Sequence, residues 1–97
     1  MEMNKPGFLY MIDHPFYPGC IKVGIETSPG KRLIDANCWD PMQGYECVYR
    51  EAFVDPRKVE RFLQYELKDY RIHSRREWFR LEPLDVLPLL RRIRRQA

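Results

Sequence analysis

Residues 7–25 read GFLYMIDHPFYPGCIKVGI, and the fold turns on how this stretch is read. GFLYMID (7–13) is short, aromatic and rich in long apolar side chains, and Pro6 and Pro15 bracket it, which predicts a strand. His14-Pro15 through Pro18-Gly19 is dense in proline and glycine and predicts a turn. In CIKVGI (20–25), Cys20, Lys22 and Gly24 alternate with Ile21, Val23 and Ile25, so a second strand has one apolar face. Two strands this close in sequence predict an antiparallel hairpin with a long loop.

Working outward, Thr27 or Ser28 can cap a helix with Pro29 in its first turn, running to about Cys38. Asp40-Pro41 and Gly44 break it. YECVYREAFV (45–54) predicts a third strand, with Tyr45, Cys47, Tyr49 and Glu51 on one face and Val48 on the other. Asp55-Pro56 opens the longest helix, in which Val59, Phe62, Leu63, Leu67 and Tyr70 form one apolar stripe. His73-Ser74 ends it. Glu77-Trp78-Phe79 reads as a short extended or turn segment carrying two large aromatics into the core. Asp85 caps a last helix, about 85–96, with Pro88 in its first turn and Leu87, Leu90 and Ile93 facing inward. The expected architecture is α+β, a small three-stranded antiparallel sheet flanked by helices, as one domain over residues 1–97.

The chain has 97 residues and a net charge of +3, from 17 Lys+Arg against 14 Asp+Glu. That excess is too small to imply a polyanionic partner by itself, but its distribution is uneven. Arg71, Arg75, Arg76 and Arg80 form one cluster, and Arg91, Arg92, Arg94 and Arg95 form another. Such clusters attract phosphate, and equally serve as a solvated surface. Cys20, Cys38 and Cys47 are odd in number and fit neither a disulfide framework nor a zinc-ligand spacing. Reduced, partly buried cysteines in a cytoplasmic protein are expected. No apolar run reaches the length of a membrane span, and the first residues, MEMNKPGFLYMIDHP, do not resemble a signal peptide.

Phe8-Leu9-Tyr10 and Lys22-Val23-Gly24, with eleven residues between them, resemble the two signature strands of the GIY-YIG nuclease superfamily. The family's arginine follows the glycine by eight positions, where this chain has Arg32. Its metal-binding glutamate lies on the helix after the third strand, with an apolar residue three positions on; Glu60 and Leu63 match. From Glu60 to Phe79 the chain resembles the phage and bacterial DNA-binding branch, in which Lys-Ile-Gly stands in place of YIG. The resemblance covers about residues 7–81. It implies a metal-dependent endonuclease that hydrolyses phosphodiester bonds in DNA, or in RNA, with Mg²⁺ or Mn²⁺ held by Glu60.

The chemistry at those positions can be stated on its own terms. Phosphodiester hydrolysis loads negative charge onto the phosphoryl oxygens, which a guanidinium clamps and a divalent cation neutralises. Arg32 suits the first task and Glu60 the second. Tyr10 is placed to help activate water, although a phenol with a pKa of about 10 needs a neighbouring cation to act as a base. Lys22 binds phosphate or lowers the Tyr10 pKa. Gly24 leaves room for a substrate backbone to approach. Gln64 and Arg71 share a helical strip with Glu60 and extend the substrate surface, as do Arg91, Arg92, Arg94 and Arg95.

Each residue also has a plainer reading: Tyr10 as a core aromatic, Arg32 and Glu60 as exposed helix charges. Glu66 falls inside the apolar stripe near Phe62, Leu63 and Tyr70, so it should be paired or bind a cation, and it competes with Glu60 as the metal ligand. Glu77 reads as structural or as a partner of Arg71. His14 and His73 read as surface or loop histidines. The chain departs from the family pattern at three places: Lys22 replaces a tyrosine, Gln64 a histidine, and Ile72 stands near a missing asparagine. A nucleic-acid-binding module without catalysis therefore stays open. So does a protein-interaction domain that meets an acidic partner through its arginine-rich ends and exposed Phe16 and Tyr17. Specificity in the nucleic-acid readings would come from this domain, a homodimer or a partner.

Overall fold

The computed structural model describes residues 5–72 and 75–94. Strands β1 (Gly7–Asp13) and β2 (Ile21–Glu26) form the expected hairpin, with Tyr10 opposite Gly24 and Ile12 opposite Lys22. Helix α1 (Lys31–Trp39), strand β3 (Glu46–Phe53) and helix α2 (Pro56–Glu66) follow. A 3₁₀ turn (Lys68–Tyr70) leads into β4 (Arg71–Ile72) and β5 (Arg75–Phe79), and α3 (Pro83–Arg94) closes the fold.

The sheet has five strands, not three, in the order β3-β1-β2-β5-β4, with every neighbour antiparallel. The two additional strands come from the stretch expected to be a helix end followed by a short extended or turn segment, and Glu77-Trp78-Phe79 is indeed extended. Helix α2 stops at Glu66, and Arg71 is a strand residue. Tyr70 accordingly leaves the apolar stripe and is exposed. The expected helix end at His73-Ser74 lies outside the described residues. β5 pairs with β2 through Ile21–Phe79 and Lys22–Trp78, which joins the second hairpin to the first.

One face of the sheet carries the core. Leu9, Met11, Ile21 and Val23 meet Val59 and Leu63 of α2, Phe79, and Val86, Leu90 and Ile93 of α3, all buried. Leu87 is only partly buried, so Val86 takes the inward position expected for it. Asp85 lies in the first turn of α3, where its carboxylate accepts the Glu82 backbone N–H at 3.0 Å. Pro88 is inside the helix, beyond the first turn.

The opposite face is built differently. Helix α1 has no buried residue, so hydrophobic packing does not hold it. Neither Thr27 nor Ser28 caps it: Gly30 is the cap residue, with φ at 86°, a left-handed conformation that glycine adopts without strain. The capping acceptor comes from β2. Glu26, only 6% exposed, accepts the Gly30 N–H at 3.3 Å and the Arg32 N–H at 3.2 Å, and Arg50 Nε of β3 at 2.9 Å. At the far end, Asn37 and the Tyr45 backbone exchange two hydrogen bonds of 3.0 and 3.1 Å.

His14 is buried, not a surface residue. Its Nδ1 accepts the Phe16 N–H at 3.1 Å, which leaves the ring proton on Nε2, 2.6 Å from Asp40. Asp40 also accepts backbone N–H groups of Met42 and Gly44, and these bonds, the Gly44 one first, hold its carboxyl below the usual range. Cys20 is buried, Cys47 half-buried and Cys38 exposed, and all three are free. Among the described residues no helix is long and apolar enough to cross a membrane.

Removing a partner from a buried ion pair costs more than the pair contributes. Glu26→Ala should therefore destabilise the fold by roughly 3 kcal/mol in urea or guanidinium unfolding. Hydrogen exchange should accelerate in α1 before it does in β1 or β2. Exchange that stays uniform across both faces would show that α1 does not depend on Glu26.

Candidate active site

The hairpin forms the floor of the site. Tyr10 and Gly24 are register partners, and Lys22 shares their face of the sheet. A Cβ at position 24 would lie 2.5 Å from the Tyr10 hydroxyl oxygen and 2.6 Å from Cζ. Glycine is needed there because the ring of Tyr10 lies across β2. The space expected for a substrate backbone is filled from within the fold.

Helix α1 forms a wall. Arg32, Asp35, Ala36 and Trp39 recur at the spacing of one helical face, and all four line the same cavity as Tyr10, Lys22 and Gly24. The face that α1 turns inward looks onto this cavity, which explains why the helix buries nothing. Glu60 from α2 and Glu77 from β5 complete the lining of a space of about 380 Å³. Lys22 Nζ lies 3.5 Å from Glu77 Oε1, so Glu77 is a partner of Lys22 and not of Arg71.

The electrostatics of this cavity bear on the role of Tyr10. Burial pushes the Tyr10 phenol up to about 12, and the charges of Glu77, Glu26 and Glu60 add to the rise. Arg32 is the cation that opposes it, and it does not prevail. Tyr10 is therefore a protonated hydrogen-bond donor at neutral pH, and acting as a base would take a cation beyond Arg32. Glu60 is raised as well, by desolvation first and by Glu77 second, with Arg57 and Arg61 pulling the other way.

The remaining residues fall elsewhere. Glu66 ends α2, half-buried, off this cavity and with no ion pair among the described residues. Arg71 Nη2 donates to the carbonyl of Gln64 at 2.9 Å and to its Oε1 at 2.8 Å, so the two residues tie α2 to β4. The guanidinium also sits over the Phe79 ring, and its Nε is buried without a partner among the described residues. Neither Gln64 nor Arg71 lines the cavity. Arg94 donates to Glu51 at 2.6 Å and to the Tyr49 hydroxyl, and Arg92 lies over Phe62. Arg91 is exposed, while Arg95 and the side chains of Arg75 and Arg76 lie outside what is described.

Sequence reasoning missed Glu26, Asp35, Trp39 and the cavity role of Glu77. For Glu26 a signal existed: Lys22, Gly24 and Glu26 alternate onto one face of β2. Among the described residues no group of three or more His, Cys, Asp or Glu side chains is arranged to hold a metal ion.

Arg32, Lys22, Tyr10 and the three carboxylates of Asp35, Glu60 and Glu77 thus surround one cavity of a small α+β domain. The family model of the T5orf172 domain matches residues 7–94, and the chain belongs to that family. It is a nuclease-associated domain family, and the match points to a nucleic-acid-related role at that general level. No curated protein and no solved structure matches the chain.

A raised carboxyl pKa binds its proton more tightly in the folded state. The stability this contributes is present below the unfolded value of 4.5 and is lost as pH rises through the higher folded value. Glu60→Gln, which cannot ionise, should therefore be more stable than wild type to urea at pH 7. The two should converge in acid, below the unfolded value. Equal midpoints at neutral pH would mean that Glu60 is not strained by its surroundings.

Proposed function

We propose that the domain is a metal-dependent endonuclease of GIY-YIG type, of the branch with lysine in the YIG position, acting on phosphodiester bonds in DNA. The observation that carries this reading is the convergence of Tyr10, Lys22, Arg32 and Glu60, drawn from four different elements, on a single cavity. Within the reading, Arg32 clamps the non-bridging phosphoryl oxygens with paired hydrogen bonds. Lys22, held beside Glu77, adds a point charge on the same side. Tyr10, protonated at neutral pH, donates a hydrogen bond to a developing oxyanion.

The residues fit a hard divalent cation. Mg²⁺ is usually bound through one or two carboxylates and keeps several waters, so no all-protein cage is required. Glu60 and Glu77 are two carboxylates whose repulsion a dication would relieve. When bound, the metal supplies charge neutralisation and an acidified water; Glu60 is the residue that would hold it. Mg²⁺ should then raise the unfolding midpoint of wild type and leave that of Glu60→Gln unmoved.

A second reading, binding without cutting, is favoured by a specific observation. Burial holds Tyr10 protonated, so the cavity's carboxylates are the side chains left to take a proton from water.

Incubation with supercoiled plasmid and Mg²⁺ or Mn²⁺ separates the two. Arg32→Ala and Glu60→Ala should keep the fold and most DNA affinity and lose on the order of 10²–10³ in nicking rate, the usual cost of removing a transition-state partner. A wild-type protein that binds DNA and never nicks it under these conditions selects the binding module.

A further inference from the structure

The cavity opens onto a second and larger cleft, of about 790 Å³, with Ile25, Arg32 and Asp35 lining both. Five cations line it: Lys5, Lys31, Arg32, Arg57 and Arg61. Three carboxylates are also present, and each is already engaged. Glu26 is taken by Arg50 and the start of α1, Asp35 by Lys31 at 3.1 Å, and Asp55 by the Lys58 N–H that it caps. Lys5, Arg32, Arg57 and Arg61 are exposed and have no ion pair among the described residues. Arg57 and Arg61 also act on Glu60 across the boundary, so cleft and cavity share one field.

The geometry points to this cleft as the track for the polynucleotide backbone, carrying the phosphates that flank the cavity from Arg32 past Arg61 and Arg57 toward Lys5. The inference rests on the nucleic-acid reading above and does not require cutting. Three features favour a backbone over a compact ligand. Small-molecule sites are mostly apolar, whereas Ile25 and Pro56 are the principal apolar groups here. Arg57 and Arg61 are one helical turn apart on α2, spaced to meet successive anions. The cleft runs into the cavity through Arg32, so a strand lying in it delivers a phosphodiester to Tyr10, Lys22 and Glu60. The C-terminal arginines are a poorer track, because Arg94 is spent on Glu51 and Arg92 is stacked on Phe62.

The test is a salt titration of binding. A short fluorescein-labelled DNA duplex is titrated with the full chain, and anisotropy is followed at several salt concentrations. Each phosphate contact contributes about 0.9 to the slope of log K against log salt for duplex DNA. The double variant Arg57→Ala/Arg61→Ala should therefore lower the slope by about 1.8, with an unchanged urea midpoint. Arg57→Lys/Arg61→Lys should restore the slope, and Arg91→Ala/Arg92→Ala should leave it unaltered. An unchanged slope in the Arg57/Arg61 alanine variant overturns the track, as does a wild-type chain that binds no duplex at low salt. Binding with the expected slopes but without nicking leaves the track standing and removes only the hydrolytic reading. Nicking that persists with an unaltered slope removes the track and leaves that reading standing.

Discussion

A buried carboxylate on β2 holds the working face of this domain together. Glu26 sits at the end of the signature hairpin, where alternation turns it away from the core and under α1. It closes the start of that helix through two backbone N–H groups and reaches across to Arg50 on β3. An acidic group at a helix start is favoured by the helix dipole, and more so when partly shielded from solvent. One of the two N–H groups belongs to Arg32, so the interaction that founds the helix also fixes the backbone of a residue that lines the cavity. Gly30 makes this possible, since its left-handed backbone lets the chain turn sharply enough for both N–H groups to face β2.

The charges around the cavity are set against one another. Glu60, Glu77, Glu26 and Asp35 surround a phenol that burial has already made a weak acid, while Lys22 and Arg32 answer them. The result is a site that is uncomfortable when empty of cations: both Tyr10 and Glu60 bind their protons more firmly than they would in water. Such opposed environments are a mark of sites built to meet a ligand's charge, although structural networks also produce them. The stability lost in keeping Glu60 ionised at neutral pH would be recovered by any cation that joined it.

How much of this could be read from the sequence differs from element to element. The hairpin was legible because its alternation and bracketing prolines are local signals, and the spacing from Tyr10 through Lys22 and Arg32 to Glu60 brings together residues that no local rule connects. The second hairpin was not legible. Leu67 and Tyr70 continue the helical period of α2, so periodicity alone carries the helix past its true end at Glu66. What stops it is tertiary: Arg71 is drawn into the sheet, bonded to Gln64, and placed over Phe79. His14 was misread for a related reason. Its burial is created by Asp40, 26 positions away, and by the rings of Tyr17 and Tyr45. Glu77 reads from the sequence as structural or as a partner of Arg71, whereas strand pairing carries it to Lys22.

The two faces of the sheet also differ in how firmly they are held. On the core side, α2 and α3 bury Val59, Leu63, Val86, Leu90 and Ile93, and such packing is lost only with the whole fold. On the other side α1 is fastened at its two ends, by Glu26 and by Asn37 with Tyr45, and leaves Ile34 and Trp39 exposed, Trp39 to 87%. A segment with hydrogen bonds but little buried apolar surface opens at low free energy. Arg32 and Trp39 therefore stand on an element with no buried side chain, while Tyr10, Lys22 and Glu60 stand on elements that contribute to the core. A ligand that contacts both walls would stabilise the fold by closing α1 against it, because the helix has no apolar face of its own turned to the core. The polar clamps of α1 thus set the width of the cavity, and the hydrophobic core sets only its floor.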